Sequence, residues 1–110
     1  MHYRQEFPDY DDTIIIPKGF QDHSYHNDIS PHIAKTIMED KDVCIELRIW
    51  QDYKDPELRE REGKRYIFQI HIYTDVIDDL LMHYETDDWG EIEKMIDMVQ
   101  YPFIPERGKA

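Results

Sequence analysis

Val43-Cys44-Ile45-Glu46-Leu47-Arg48-Ile49-Trp50 decides the fold of this chain. Val43, Ile45, Leu47 and Ile49 recur with a period of two, which places them on one face of a strand and Cys44, Glu46, Arg48 and Trp50 on the other. A second run, Arg65-Tyr66-Ile67-Phe68-Gln69-Ile70-His71-Ile72-Tyr73, turns Tyr66, Phe68, Ile70 and Ile72 toward a core in the same way.

Working outward, residues 32–39 reach the first strand across the turn Glu39-Asp40-Lys41-Asp42. Ile33, Ala34, Ile37 and Met38 have helical spacing behind Ser30-Pro31, which has the form of an N-cap followed by a first-turn proline. The same residues also alternate acceptably. In a hairpin Lys35 faces Glu46 and Thr36 faces Ile45, and opposite charges across a ladder favour that pairing, so the strand reading is preferred. Leu80–Glu85 poses the same choice after a turn at Asp75–Asp79. As a strand it points Leu80, Met82 and Tyr84 inward; as a helix it aligns Ile77, Leu80, Leu81 and Tyr84. The strand is preferred because 65–73 needs a neighbour. That hairpin sets His71 opposite His83 and Gln69 opposite Glu85.

Thr13-Ile14-Ile15-Ile16 reads as a short strand stopped by Pro17 and Gly19. Residues 51–64 read as a charged loop with one helical turn at Glu57–Arg61. Asp88-Trp89-Gly90-Glu91 has the pattern of a capping box, and Trp89, Ile92, Met95, Ile96 and Val99 then form an apolar stripe that Pro102 ends. The tail Tyr101–Pro105 is apolar enough to dock, whereas residues 1–12 and 106–110 are expected to be loosely ordered. The expected fold is α+β: a small antiparallel, meander-like sheet of about four strands with a C-terminal helix packed on one face. It occupies one small acidic domain, residues 1–110.

Composition narrows the function classes. With 40% hydrophobic and 13% aromatic residues the chain is too rich in core formers to be disordered. A single cysteine, Cys44, excludes an intramolecular disulfide and fits a reducing compartment; with no signal-peptide pattern and no apolar run of about 20 residues, the expected location is the cytoplasm, off the membrane. The net charge of −12 disfavours direct nucleic-acid binding, which relies on Lys and Arg neutralising phosphates. It suits a solvated surface or a basic protein partner.

The densest chemistry lies in Phe20-Gln21-Asp22-His23-Ser24-Tyr25-His26-Asn27-Asp28-Ile29-Ser30-Pro31. So polar a segment needs partners for its groups, and ordered polar loops often carry function. Asp22, Ser24, Asn27 and Asp28 suit turn and amide capping, with Tyr25 as an anchor to the core. His23 and His26 are the candidate metal ligands, with Asp22, Asp28 and His32 nearby and a divalent cation such as zinc or nickel as the guest; the spacing matches no closed zinc motif, and no cofactor is expected. Trp50, Asp52 and Tyr53 read as an aromatic-acidic recognition edge. Cys44, among acidic neighbours, is expected to be inert. Neither a glycine-rich phosphate loop nor a serine-nucleophile elbow is present, and no catalytic residue is assigned.

One set of spacings extends through most of the chain: Phe20-x-Asp22-x-Ser24-Tyr25-His26-Asn27-Asp28-x-x-Pro31, then Trp50-x-Asp52-Tyr53-x-Asp55-Pro56 with Arg59-Glu60, then Arg65-Tyr66, then Thr86-Asp87-Asp88-Trp89. It resembles a family of small uncharacterised bacterial, plasmid and phage proteins over roughly residues 20–98. The resemblance implies a strand for 32–39 and attaches no activity, cofactor or catalytic residue. Ser30 stands where that family has a cysteine before the proline, which argues against an obligatory thiol there.

Three functional readings follow. The preferred one is a non-enzymatic accessory or regulatory domain that binds another protein through the 20–31 loop, with Tyr25, Trp50 and Tyr53 as anchors; its oligomeric state is left open. The second is an acidic inhibitor from a mobile element that mimics nucleic acid with spaced carboxylates, Asp78/Asp79 and Asp87/Asp88 among them. The third is a metal-binding module or metal-dependent enzyme built on His23 and His26.

Overall fold

The computed structural model describes residues 2–10 and 12–109, with side chains through Val99. Five strands, β1 (Gln21–Asp22), β2 (His32–Glu39), β3 (Cys44–Gln51), β4 (Tyr66–Tyr73) and β5 (Asp78–Thr86), make one antiparallel meander in chain order. A one-turn helix α1 (Tyr3–Glu6) precedes the sheet and α2 (Trp89–Lys109) follows it. The α+β architecture expected from the alternating runs is the one observed. The fifth strand, β1, lies at the start of the segment read as a loop. Among the described residues no helix is long and apolar enough to cross a membrane.

Alternation builds two unlike faces. Ile33, Ile49 and Phe68 stand side by side on β2, β3 and β4, fully buried, and Leu47 is buried beside them. Ile92 and Ile96 of α2 close this inner face over β4 and β5. The remainder is closed from the other end of the chain, by Tyr3, Phe7, Tyr10 and Ile14. Tyr3, Phe7 and Tyr10 thus lie in the core although they belong to a segment expected to be loosely ordered. Aromatic side chains of this size gain too much from burial to remain in water, and Tyr3 N–H also donates to Asp22 Oδ2 at 2.7 Å.

The 13–16 run is not a strand. Gln51, the last residue of β3, turns its amide inward, accepts from Ile15 N–H at 2.8 Å and donates to Ile15 O at 2.6 Å. One side chain thus satisfies the peptide groups that a neighbouring strand would otherwise have paired.

Both hairpins form in registers that differ from those expected. Lys35 faces Leu47 and Thr36 faces Glu46, and a bulge then shifts Met38 onto Ile45. The expected pairing would have set Ile33 against Arg48; a slip of one residue exchanges the two faces of a strand, so burial of Ile33 beside Ile49 decides the register. In β4–β5, Gln69 faces His83 and a bulge carries His71 opposite Leu80, so the His71–His83 pair does not form. This shift is by two residues, which leaves the same side chains on the same face and is invisible to alternation. The turn fixes it: Thr74 Oγ1 accepts from Val76 N–H and Ile77 N–H. Of the inward trio expected on β5, Met82 packs on the core whereas Leu80 and Tyr84 remain largely exposed at the sheet edge.

The 51–64 loop has its helical turn at Pro56–Leu58, earlier than expected, because Asp55 Oδ1 caps Glu57 N–H at 3.0 Å. Arg59 braces the loop by donating to the carbonyls of Tyr53, Lys54 and Gly63. At the start of α2, Asp88 Oδ1 accepts from Gly90 N–H at 2.9 Å. The reciprocal arm of the capping box runs through a hydroxyl: Thr86 Oγ1 accepts from Asp88 N–H at 3.0 Å and donates to Glu91 Oε1. The helix continues past Pro102 to Lys109; a proline removes one helical bond and strains the preceding turn, a local penalty that does not oblige the helix to stop. Docking of 101–105 and loose order at 106–110 concern side chains outside the described residues.

Candidate functional site

The outer face of the sheet carries the chemistry. Two adjacent rows cross it: His32, Trp50, Ile67 and Glu85, then Ala34, Arg48, Gln69 and His83. Among the described residues no helix packs on these rows. The 26–30 loop folds over one end, and beneath it lies an open cavity of about 390 Å³ whose walls include Asn27, Asp28, Trp50, Gln69, His83 and Glu85.

Gln69 organises the floor. Its Oε1 accepts from Trp50 Nε1–H at 3.0 Å and from His71 Nε2–H at 2.8 Å. Its amide nitrogen then faces His83 Nδ1 at 3.1 Å, which leaves His83 Nε2 as the protonated nitrogen that donates to Glu85 Oε2 at 2.8 Å. Glu85 Oε1 accepts from Arg61 Nη1 at 3.1 Å. These donors hold the Glu85 carboxyl below its ordinary range, the His83 hydrogen bond contributing most. The chain of contacts reaches from β3 to β5 and into the 51–64 loop, so each polar group holds the next in place.

Further along the same face, His32 stacks on the Trp50 indole at 4.2 Å between centroids. Burial, reinforced by the neighbouring His23 ring and the Arg48 charge, pushes the His32 imidazole down to about 4, so it is neutral at neutral pH. Burial also lowers His71. Arg48 donates to Glu46 Oε1 at 2.6 Å, and Tyr73 O–H donates to Glu46 Oε2 at 3.3 Å.

The structure separates the residues singled out in the sequence. Asp28, Asn27 and Trp50 meet at the cavity. Asp22 and Ser24 serve the scaffold: Asp22 accepts from Tyr3 N–H and Ser24 N–H, while fully buried Ser24 accepts from His32 N–H at 3.2 Å. Tyr25 is exposed, lies tilted against the His26 ring and is not part of the core cluster, which corrects its expected anchoring role. Asp52 is only 1% exposed, its Oδ1 accepting from Tyr53 N–H while burial raises its pKa. Tyr53 packs against Tyr10 and the inner core. Trp50 and Tyr53 therefore belong to different surroundings, because three residues of advance at the end of β3 carry the chain from the outer face to the inner one.

The two candidate metal ligands also part. His26 Nδ1 lies 3.0 Å from Glu6 Oε1, whereas His23 packs edge-on to His32. Among the described residues no group of three or more His, Cys, Asp or Glu could hold a metal ion. The paired acids have local tasks: Asp87 accepts from Arg65 N–H at 2.8 Å, Asp88 caps α2, and Asp78 lies 3.4 Å from His71. Arg61, Gln69, His83 and Glu85 were missed as a group. Alternation puts Gln69, His83 and Glu85 on one face, but only the β4–β5 register brings them together, and no periodicity marks Arg61. No family model, curated protein or solved structure matches this chain, so the site is read from its own geometry.

Proposed function

We propose that the chain is a non-enzymatic accessory domain that binds another protein through the outer face of its sheet, with the 26–30 loop as the rim of the recognition surface. One observation carries this reading: the uncovered face is already ordered by its own side chains, from Trp50 through Gln69 and His83 to Glu85 and Arg61. A surface ordered before contact avoids part of the entropy cost of binding, and a half-buried Trp beside a concavity is the kind of group on which binding energy concentrates. The hydrogen-bonding capacity of His71 and His83 is directed to Gln69 and to neighbouring carboxylates, which suits a fixed surface better than proton transfer. The charge of −12 favours a basic partner.

The test is site-specific photocrosslinking in the cells that encode the chain. A photoreactive residue at Tyr25 or His83 is expected to capture a discrete basic protein, in lower yield as salt rises. The same residue at Glu93, on the exposed side of α2, is expected to capture none. Crosslinking from Glu93 alone, or none from the outer face, would overturn the reading.

A further inference from the structure

The cavity beneath Asn27–Ser30 contains one carboxylate that, among the described residues, has no Lys or Arg ion-pair partner. Glu85 is held by Arg61 and His83, and the Arg61 guanidinium is itself committed to Glu85 and to the carbonyls of Glu62 and Lys64. Asp28 is different. Its carboxylate accepts no hydrogen bond from the described residues, and the nearest basic nitrogen, His32 Nδ1, is 3.6 Å away on a ring that burial keeps neutral at neutral pH. Burial also raises the Asp28 pKa, an effect that the more distant Arg48 charge only partly offsets. Around it the walls are mainly apolar, with Ile29, Ile67 and the Trp50 ring. His32 stacks on that ring but does not line the cavity, so the indole also presents surface to the opening.

Apolar wall beside a carboxylate that lacks an ion-pair partner is complementary to a long side chain with a cationic head, and Arg61, which also lines the cavity, is already engaged by Glu85. We infer that this cavity receives an arginine side chain of the partner, its stem against Ile29 and Ile67, its guanidinium lying along Trp50 and paired with Asp28. The inference rests on the protein-binding reading above and specifies its chemistry. Arginine fits better than lysine because a planar guanidinium both stacks on an indole and engages a carboxylate through two parallel N–H groups. The volume of about 390 Å³ is near the lower end of the roughly 300–1,000 Å³ usual for ligand sites, adequate for one side chain entering from outside.

The chain contains two tryptophans, and Trp89 packs on Tyr66 away from the cavity, so its indole N–H is an internal control. The experiment is an NMR titration of the intact protein with Nα-acetyl-arginine amide, beside its neutral isostere Nα-acetyl-citrulline amide. The arginine probe is expected to shift the Trp50 indole N–H saturably, with a Kd on the order of millimolar, leaving Trp89 still. Asp28→Asn is expected to weaken binding at least about tenfold, the loss of a charge-assisted pair, while Asp28→Glu recovers most of it. A Trp50 signal that does not saturate, that moves equally with citrulline, or that is indifferent to Asp28→Asn would overturn the inference. If that happens while Tyr25 or His83 still crosslinks to a partner, the arginine pocket falls and the protein-binding reading stands. The reverse pattern, arginine binding without outer-face crosslinks, removes the reading instead.

Discussion

The two faces of β3 and β4 are built from interleaved residues of the same strands and obey different rules. On the inner face Ile49 and Phe68 lie side by side, both fully buried, and any register that keeps apolar residues together serves. On the outer face Trp50, Gln69 and His83 must meet at hydrogen-bond distance, so a displacement by one ladder position would dissolve the network. Apolar contact is tolerant of detail and polar contact is specific. The first makes the sheet stable; the second fixes what it displays.

That contrast can be broken at neighbouring positions of β4. Phe68→Ala leaves a cavity in the inner core and is expected to cost about 3–5 kcal/mol, read as a lower denaturation midpoint with the outer-face NMR contacts kept in whatever fraction stays folded. A loss below about 1 kcal/mol would mean the inner face is not the principal core.

The next effect is a pH dependence from the outer face. The His32 pKa lies at about 4 in the folded chain against an ordinary 6.5, so between those values the unfolded chain takes up a proton that the folded chain refuses. Stability is therefore full above pH 6.5 and falls as the pH drops toward 4, by up to about 3 kcal/mol from this group. His32→Phe keeps a ring on Trp50 and is expected to flatten that part of the stability-versus-pH curve; an unchanged slope would assign it to other groups.

Gln69→Leu sharpens the comparison directly, since it removes the acceptor of Trp50 and His71 and the donor to His83 without touching the inner face. The expected loss is about 1–3 kcal/mol, with altered Trp50 indole and His83 resonances and an intact core. Unaltered resonances would show that Gln69 does not order the face. Smallest of all is Leu81→Lys at the exposed edge of the sheet, expected to change stability by no more than about 0.5 kcal/mol. A large loss there would reveal packing on that edge.

How much was legible in the sequence follows from the same division. The period-two runs at 43–50 and 65–73 and the stripe from Trp89 to Val99 identified the strands, the helix and the inner core, because burial acts on each side chain separately. Cavity residues Asn27, Asp28 and Trp50 were singled out for their chemistry. Their company was not, since it depends on two bulges, Thr36/Met38 and Ile70/His71, that leave no mark on alternation. Polarity alone also placed Asp52 on a recognition edge, where the structure buries it, whereas Asp22 and Ser24 cap backbone amides as their residue types suggest; the resemblance pattern runs through such residues: Asp22, Ser24, Thr86 and Asp88 hold backbone amides. The N-terminal aromatics were misjudged for the opposite reason, their spacing fitting neither a helix nor a strand.

The inner face of the sheet is closed by two separate pieces of chain, Tyr3 to Ile14 on one side and Ile92 with Ile96 on the other, with the whole meander between them. For a nascent chain leaving the ribosome this order matters. The strands can pair one after another as they emerge, and the N-terminal aromatics can settle once β3 and β4 are out. The β4–β5 side of the core stays open until residues 89–96 have cleared the exit tunnel, so until then the growing chain presents an apolar sheet to whatever chaperone attends it.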